Sequence, residues 1–275
     1  MSKSKKPKSN ATPRHVTQRR DIDRWLDRAA RQLAAGDYPG VIATAGRVVR
    51  TPIASREQRA EAYDRLGGAY TLLQQHEDAY AMVSAAVELT PDDPLLWYNR
   101  GITARYTTRL GQSLRDFERA QALDADGVLA HELAEALPFA RSLAEHELEL
   151  RGPDFTLDEL IAQETLFQQA VRVMAEGHWA EAEPLFRQSI AMGDVLPQPW
   201  GNLGVCLLMQ RQFDAAEAAL RRALEIDPGY TIARQNLAGL PKIRATGQLP
   251  AMRLNTSFDG KPVNVGLKML IQDDK

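Results

Sequence analysis

The chain has 275 residues, of which 44% are hydrophobic and 25% charged, and its formal net charge at pH 7 is −2. This composition is typical of a globular protein in water, and no apolar run approaches the roughly 18 residues that a membrane span requires. The one cysteine, Cys206, excludes an intramolecular disulfide. Because an apolar secretory signal is also missing near the start, we expect a cytoplasmic protein with no membrane contact.

The first residues differ in charge from the remainder of the chain. Residues 1–20 contain seven Lys and Arg side chains and no acid, so the other 255 residues carry a net charge of −9. We predict a basic, disordered arm over residues 1–21. Such an arm can bind nucleic acid, a ribosomal surface or acidic lipid, here through residues 3–20, or it can simply be a solvated terminus. The sequence leaves both interpretations open.

A fixed order of large and small side chains recurs at a spacing of 34 residues. The clearest copy consists of Trp200, Leu203, Gly204, Phe213, Ala216, Leu220, Ala223 and Pro228. A second copy consists of Tyr63, Leu66, Gly67, Ala79, Val83, Ala86 and Pro91, and a partial third copy of Trp97, Gly101, Phe117 and Ala120. A period of 34 in this order is typical of stacked helix–turn–helix units, in which the glycine lets the second helix approach closely.

This pattern resembles the tetratricopeptide repeat family. The resemblance implies an all-α, right-handed superhelical solenoid of antiparallel helix pairs, here with a degenerate central unit and a capping helix. Counting outward from the clear copies, we predict a chain organised as a basic arm over 1–21, units one to three over 22–127, an irregular joint over 128–162, units five and six over 163–230, a capping helix over 231–241 and a tail over 242–275.

Local signals mark the helix ends within this frame. Ser55 to Gln58 and Thr156 to Glu159 have the spacing of capping boxes. In the central unit we predict one long helix over 128–150, kinked near Pro138, and at the other end Pro241 is expected to stop the capping helix. In the tail, Asp259-Gly260 favours a tight turn between two short apolar segments, over 252–258 and 263–268.

The histidines and the cysteine do not have the spacing of a metal site or of a catalytic site. His131 and His146 lie 15 residues apart on the predicted long helix, about 22 Å along its axis, which is too far for one metal ion. Cys206 lies among apolar residues, where a buried and inert thiol is expected. No phosphate loop, dinucleotide fingerprint or nucleophile elbow occurs. We therefore predict no catalytic residues, no metal site and no cofactor.

In the family that the chain resembles, the first helices line a concave face, and partner peptides lie across it. The resemblance places these candidate partner-binding residues on that face: Tyr98, Asn99, Ile102, Arg105, Tyr106, Phe167, Val171, Met174, Asn202, Val205 and Met209. Asn99 and Asn202 occupy the position that often holds a peptide backbone. Leu26 and Ala30 stand where chaperone-tail binders carry carboxylate-binding side chains, which argues against that sub-family.

The resemblance thus implies a non-catalytic adaptor or scaffold that binds a protein or peptide segment in the groove. One alternative is an RNA- or ribosome-associated factor that is anchored by the basic arm. It also remains open whether the tail or the central helix covers part of the groove, because apolar patches of this kind are seldom left exposed.

Overall fold

A computed structural model describes residues 14–249, and that part of the chain forms twelve α-helices and no strand. The helices are α1 Arg14–Ala34, α2 Tyr38–Val49, α3 Arg56–Leu72, α4 His76–Leu89, α5 Pro94–Tyr106, α6 Leu110–Leu123, α7 Ala130–Arg151, α8 Leu157–Ala175, α9 Trp179–Met192, α10 Pro197–Met209, α11 Phe213–Ile226 and α12 Thr231–Thr246. Helices that follow one another pack as pairs, and each pair packs on the next. The prediction of an all-α solenoid of helix pairs is confirmed.

The turn inside each pair has the same backbone conformation. One residue has a positive φ between 57° and 83°, and these residues are Gly36, Gln74, Thr108, Gly177 and Arg211 in the described units. The next backbone N–H then donates to the carbonyl five residues earlier, as from Arg109 to Ala104 at 2.8 Å. This bond satisfies a carbonyl at the helix end and reverses the chain within three residues.

The glycine of the repeat lies where the two helices of a pair touch. A Cβ atom at Gly101 would lie 2.7 Å from the ring of Phe117, and one at Gly204 would lie 2.6 Å from Cγ of Leu220. Both distances are shorter than van der Waals contact. The repeated glycine is therefore required by packing, as the sequence analysis predicted.

Both predicted capping boxes are present. The Gln58 N–H donates to Ser55 Oγ at 3.2 Å, and the Ser55 N–H donates back to Gln58 Oε1 at 3.0 Å. Thr156 and Glu159 make the same reciprocal pair at the start of α8. The central unit begins with one long helix, α7, as predicted, and Pro138 lies inside it. The kink at Pro138 stays a prediction.

Two helix ends differ from the expected ones. Residues 14–21 were expected in a disordered arm, but α1 begins at Arg14, because neither glycine nor proline interrupts the chain between Pro13 and Gly36. The capping helix was expected to stop at Pro241 but continues to Thr246.

Packing explains why α12 continues through its proline. Ile243 is 8% exposed and belongs to the same apolar cluster as Leu240 and Val205. Arg244 also forms ion pairs with Asp214 at 2.7 Å and with Glu217. Burial and pairing of this last turn offset the hydrogen bond that Pro241 removes. The predicted hairpin over 252–268 lies outside the described residues.

The core runs along the array as a series of clusters. Units one and two share one cluster, unit three and α7 share another, and units five and six share a third with α12. The described chain is joined at its middle by contacts between α6 and α8 as well as by α7. Each unit thus depends on its neighbours for burial, as expected of a repeat array.

Candidate functional site

The residues predicted to line the groove fall into an open set and a covered set. In unit three, Tyr106 is 48% exposed, and Tyr98, Asn99, Ile102 and Arg105 are half-buried. In units five and six, Phe167, Val171 and Met209 are half-buried, but three of the candidates are buried: Met174, Asn202 and Val205. The open part of the predicted surface therefore lies mainly in unit three.

The covered set is buried because α10 is enclosed by other helices. All residues from Gly201 to Leu208 are buried, and α8, α9, α11 and α12 all pack on α10. Met174 and Val205 belong to the apolar cluster that these helices form with Phe186. A partner cannot contact these two side chains unless the second half of the array rearranges. The sequence left open whether this part of the groove is covered; in this structure Met174 and Val205 are covered, and their role in partner binding stays a prediction.

An exposed surface with aromatic side chains is formed by residues of α4, α5 and α7. We call the group of His76, Arg105, Tyr106 and Phe139 the unit-three surface. Phe139 is 51% exposed. The His76 ring stacks on Tyr106 with 4.8 Å between centroids and an interplanar angle of 11°. This stacking, together with the contacts of Arg105 with Tyr106 and Phe139, brings residues of α4, α5 and α7 onto one surface.

Arg105 connects the aromatic side chains of this surface. Its guanidinium carbon lies 5.6 Å from the centroid of Tyr106 and 5.3 Å from that of Phe139. No carboxylate pairs with Arg105 within residues 14–249, so its charge is available to an outside group. Phe139 and His76 were not predicted as site residues. The spacing was a signal for Phe139 only, which lies 33 residues after Tyr106, as Tyr106 lies 34 after Leu72.

The two asparagines predicted to hold a peptide backbone, Asn99 and Asn202, differ in burial and in hydrogen bonding. Asn99 Nδ2 donates to Asp64 Oδ1 at 2.8 Å, so this donor joins α5 to α3. Burial raises the pKa of Asp64, and the bond from Asn99 opposes that shift. Asn202 is fully buried, and neither its Nδ2 nor its Oδ1 has a partner among the described residues.

The described residues were also compared with the requirements of a metal site, a reactive thiol and a membrane span. Residues 14–249 contain no group of three His, Cys, Asp or Glu side chains that could hold a metal ion. Cys206 is buried, as predicted, and burial, with a smaller contribution from Glu183, raises the pKa of its thiol to about 12. Such a thiol is protonated at neutral pH and is a poor nucleophile. None of the described helices is long and apolar enough to cross a bilayer.

Comparison with known families supports the repeat assignment directly. The family described as "Tetratricopeptide repeat" matches residues 197–230 and, through a second model, residues 60–93. Both matches lie inside the predicted repeat blocks, residues 60–93 in the block over 22–127 and residues 197–230 in the block over 163–230. Proteins with such repeats generally mediate protein–protein interactions.

Solved structures with the same kind of array are similar at low identity. "YrrB: a TPR protein with an unusual peptide-binding site" is 16% identical, with 82% of this chain and 98% of that chain covered and a TM-score of 0.34. The "TPR2AB-domain:pHSP90-complex of yeast Sti1" is 14% identical, with 81% and 84% covered and a TM-score of 0.37. The "P58(IPK) TPR Domain" is 15% identical, with 82% and 66% covered and a TM-score of 0.43. From the two matched units and the helix pairs built like them, the chain is a tetratricopeptide-repeat protein.

Proposed function

We propose that this protein is a non-catalytic adaptor that binds a peptide or protein segment on the concave side of its first helices, chiefly at the unit-three surface. The observation that carries the proposal is the Arg105 guanidinium, which lies between the half-exposed rings of Tyr106 and Phe139 without a carboxylate partner in the described chain. We place the adaptor in the cytoplasm, where a single buried thiol is ordinary.

The unit-three surface has the composition of an interaction hot spot. Tyr and Arg are enriched among the residues that dominate binding energy, and exposed apolar side chains grouped in one patch usually mark an interface. Tyr106 and Phe139 supply exposed apolar area next to Arg105. The cation favours a partner segment that carries an acidic side chain next to an apolar one, since the carboxylate pairs with Arg105 while the apolar group covers the rings.

A capture experiment with matched variants tests this function. Tagged wild-type protein and the double variant Arg105→Ala/Tyr106→Ala are used to capture partners from an extract, and the captured proteins are measured by quantitative mass spectrometry. The control is Arg141→Ala/Leu150→Ala, which removes an exposed Arg, paired with Glu118, and an exposed apolar side chain of α7, neither of which belongs to the unit-three surface. We expect the first variant to lose its specific partners by about tenfold or more, on the basis of hot-spot energies.

The control should retain the partners of the wild type, and circular dichroism should show that both variants fold. If the Arg105/Tyr106 variant captures the same proteins in the same amounts as the control, the unit-three surface is not the binding site. The scaffold function at this surface would then be wrong.

A second candidate function is an RNA- or ribosome-associated factor, which the charge of the first 20 residues favours. Lys3, Lys5, Lys6 and Lys8 precede the first described helix and would contact phosphates. Their replacement by serine should abolish retention on single-stranded RNA, and wild-type retention should fall steeply with added salt. Retention that is equal in the two proteins, or insensitive to salt, would remove this alternative.

A further inference from the structure

A cavity with both polar and apolar lining residues lies at the junction of the two halves of the array. It has a volume of about 100 Å³ and is bounded by residues of α7 to α10 and by the α5–α6 turn. This volume is several times what one water molecule needs. Gln163 and Ser189 are buried in its wall, whereas Glu164, Phe167 and Gln198 are half-buried.

The one cation that lines the cavity is already neutralised. Arg151, whose side chain is 3% exposed, donates from Nη1 to Glu147 Oε2 at 2.7 Å and from Nε to Gln163 Oε1 at 2.6 Å. Gln163 Nε2 in turn donates to the carbonyls of Ser189 and Gly193, each at 2.9 Å. These bonds fix the wall of the cavity and commit the Arg151 charge to Glu147.

Two oxygen acceptors at the cavity are unused. Ser189 Oγ and Gln198 Oε1 are both buried and have no hydrogen-bond partner in the described part of the protein. Ser189 is 1% exposed, and the same position in the other clear units holds Ala86, Ala120 and Ala223. The packing of this helix pair therefore accepts alanine, and the hydroxyl is an addition that the repeat does not need. A buried polar atom without a partner is costly, which calls for a role.

Glu164 adds a carboxylate without a counter-ion. Its Oε1 accepts the N–H of Gly111 at 3.0 Å, and its Oε2 accepts that of Gln112 at 3.4 Å, at the start of α6. No Lys or Arg pairs with Glu164 among residues 14–249. Burial raises the pKa of Glu164 to about 7 although these backbone bonds oppose the shift, and Glu147 raises it slightly more. Each carboxylate oxygen still has a lone pair for a further donor.

We propose that this cavity binds an alkylammonium group, carried either by a small free amine or by a lysine side chain of a partner. An ammonium group has three N–H donors and no acceptor, which matches the unused oxygens of Ser189 and Gln198 and the carboxylate of Glu164. Its alkyl stem fits the apolar part of the opening, where Phe167 and Leu196 line the cavity. Once Glu164 is ionised, it and Glu147 outnumber the single guanidinium of Arg151, and the net negative charge attracts a cation.

Binding at this site depends on pH in a defined direction. Glu147 of α7 acts electrostatically on Glu164, Arg151 of α7 lines the same cavity, and the lining residues from α9 and α10 are neutral. An ammonium ion prefers the ionised carboxylate, so affinity should rise as the pH increases through about 7. Uptake of the cation should also release a proton below that pH, since a bound positive charge lowers the pKa of Glu164.

Calorimetric titration of the full chain with butylammonium and with neutral 1-butanol tests the proposal. We expect butylammonium to bind saturably, about tenfold more tightly than 1-butanol at pH 8, because hydrogen bonds to charged groups are the stronger ones. The expected affinity at pH 5.5 is at least about tenfold lower than at pH 8, as the carboxylate becomes protonated. Equal binding of the two compounds, or no saturable heat at pH 8, would overturn the proposal.

Two variants separate the site from non-specific attraction. Ser189→Ala restores the alanine of the other units and should fold normally while weakening butylammonium binding by about fivefold. Glu164→Gln should remove the pH dependence of binding. The matched control is Ser84→Ala, since Ser84 lies in α4, away from the cavity, and this change should leave binding unaltered. If Ser189→Ala and Ser84→Ala bind alike, the cavity is not the site.

A second titration, with peptides, identifies whether the amine comes from a lysine side chain or from a small molecule. A short peptide with one central lysine is compared with the same peptide acetylated at that Nζ. Binding of the lysine peptide at least as tight as that of butylammonium, lost on acetylation and on Ser189→Ala, assigns the cavity to a partner's lysine. Binding of butylammonium alone assigns it to a free amine.

Discussion

Adjacent glycines in α3 allow the packing role of the repeat glycine to be measured. Gly67 and Gly68 both lie inside the helix, but a Cβ atom at Gly67 would collide with Cγ2 of Val83 on α4. A Cβ atom at Gly68 would meet only Leu33 Cδ2, at an ordinary contact distance of 3.4 Å. Replacing each glycine by alanine therefore changes the helix backbone in the same way and the contact with α4 in only one case.

The expected free energies follow from two opposing effects. Alanine in place of glycine stabilises a helix interior by about 1 kcal/mol, and this gain is common to both variants. Overpacking a tight helix contact costs about 1–3 kcal/mol, because Val83 is 1% exposed and has little room to move. Gly68→Ala should therefore raise the free energy of unfolding by about 0.5–1 kcal/mol, and Gly67→Ala should lie about 1–3 kcal/mol below it.

Urea denaturation followed by circular dichroism measures this difference. With a urea dependence of about 2 kcal/mol per M, the midpoints of the two variants should differ by about 0.5–1.5 M. The helix-propensity effect cancels in the comparison, so the difference reports the contact between α3 and α4 alone. Equal midpoints for Gly67→Ala and Gly68→Ala would show that the repeat glycine is not held by close helix packing and would refute this explanation of the 34-residue pattern.

Three further changes test other parts of the structure. Arg100→Leu should lower the free energy of unfolding by about 3 kcal/mol, because it leaves the fully buried Asp116 carboxylate, which pairs with Arg100 at 2.6 Å, without a cation. The double variant Arg100→Leu/Asp116→Leu should recover much of this loss in the same denaturation assay. Pro241→Ala should stabilise α12 by about 1–3 kcal/mol, because the proline removes a helix hydrogen bond, and hydrogen exchange of the α12 amides should slow accordingly. Unchanged exchange would mean that the helix does not continue past residue 241. The pKa of Glu164 is raised to about 7 in the folded protein and is ordinary in the unfolded chain. The wild type should therefore lose stability relative to Glu164→Gln as the pH rises from about 4.5 to 7. Urea midpoints of both proteins at pH 4.5, 6 and 8 measure this loss.

Much of the array could be predicted from local sequence. The Leu-Gly pair and the terminal proline of units two and six depend on contacts within a few turns of helix, so their meaning is the same in both units. Ser55 and Thr156 could be assigned as caps for the same reason, since a capping box involves only four residues. The positive φ of Gln74, Thr108 and Arg211 was not predicted, because ordinary side chains rarely indicate that conformation.

The candidate site was predicted less completely, because exposure depends on more than one unit. Tyr106 and Arg105 lie on the open surface where the repeat pattern placed them, with Phe139 added by α7. Met174 and Val205 occupy equivalent types of position but are buried, since α12 and the neighbouring units enclose α10. A repeat pattern states which side of a helix faces the groove, and it does not state what else packs there.

The sequence by itself determined the helix pairs, their order and most of their ends, because a 34-residue unit is specified by contacts between residues close together in the chain. Only the tertiary structure decided how the two halves join, through Glu164 at the start of α6, and which parts of the concave side stay open. It also decided that α12 continues past Pro241, through contacts of Ile243 and Arg244 with distant residues. Burial and pairing between residues far apart in the chain depend on the packed arrangement of all the helices, and no short sequence pattern contains that information.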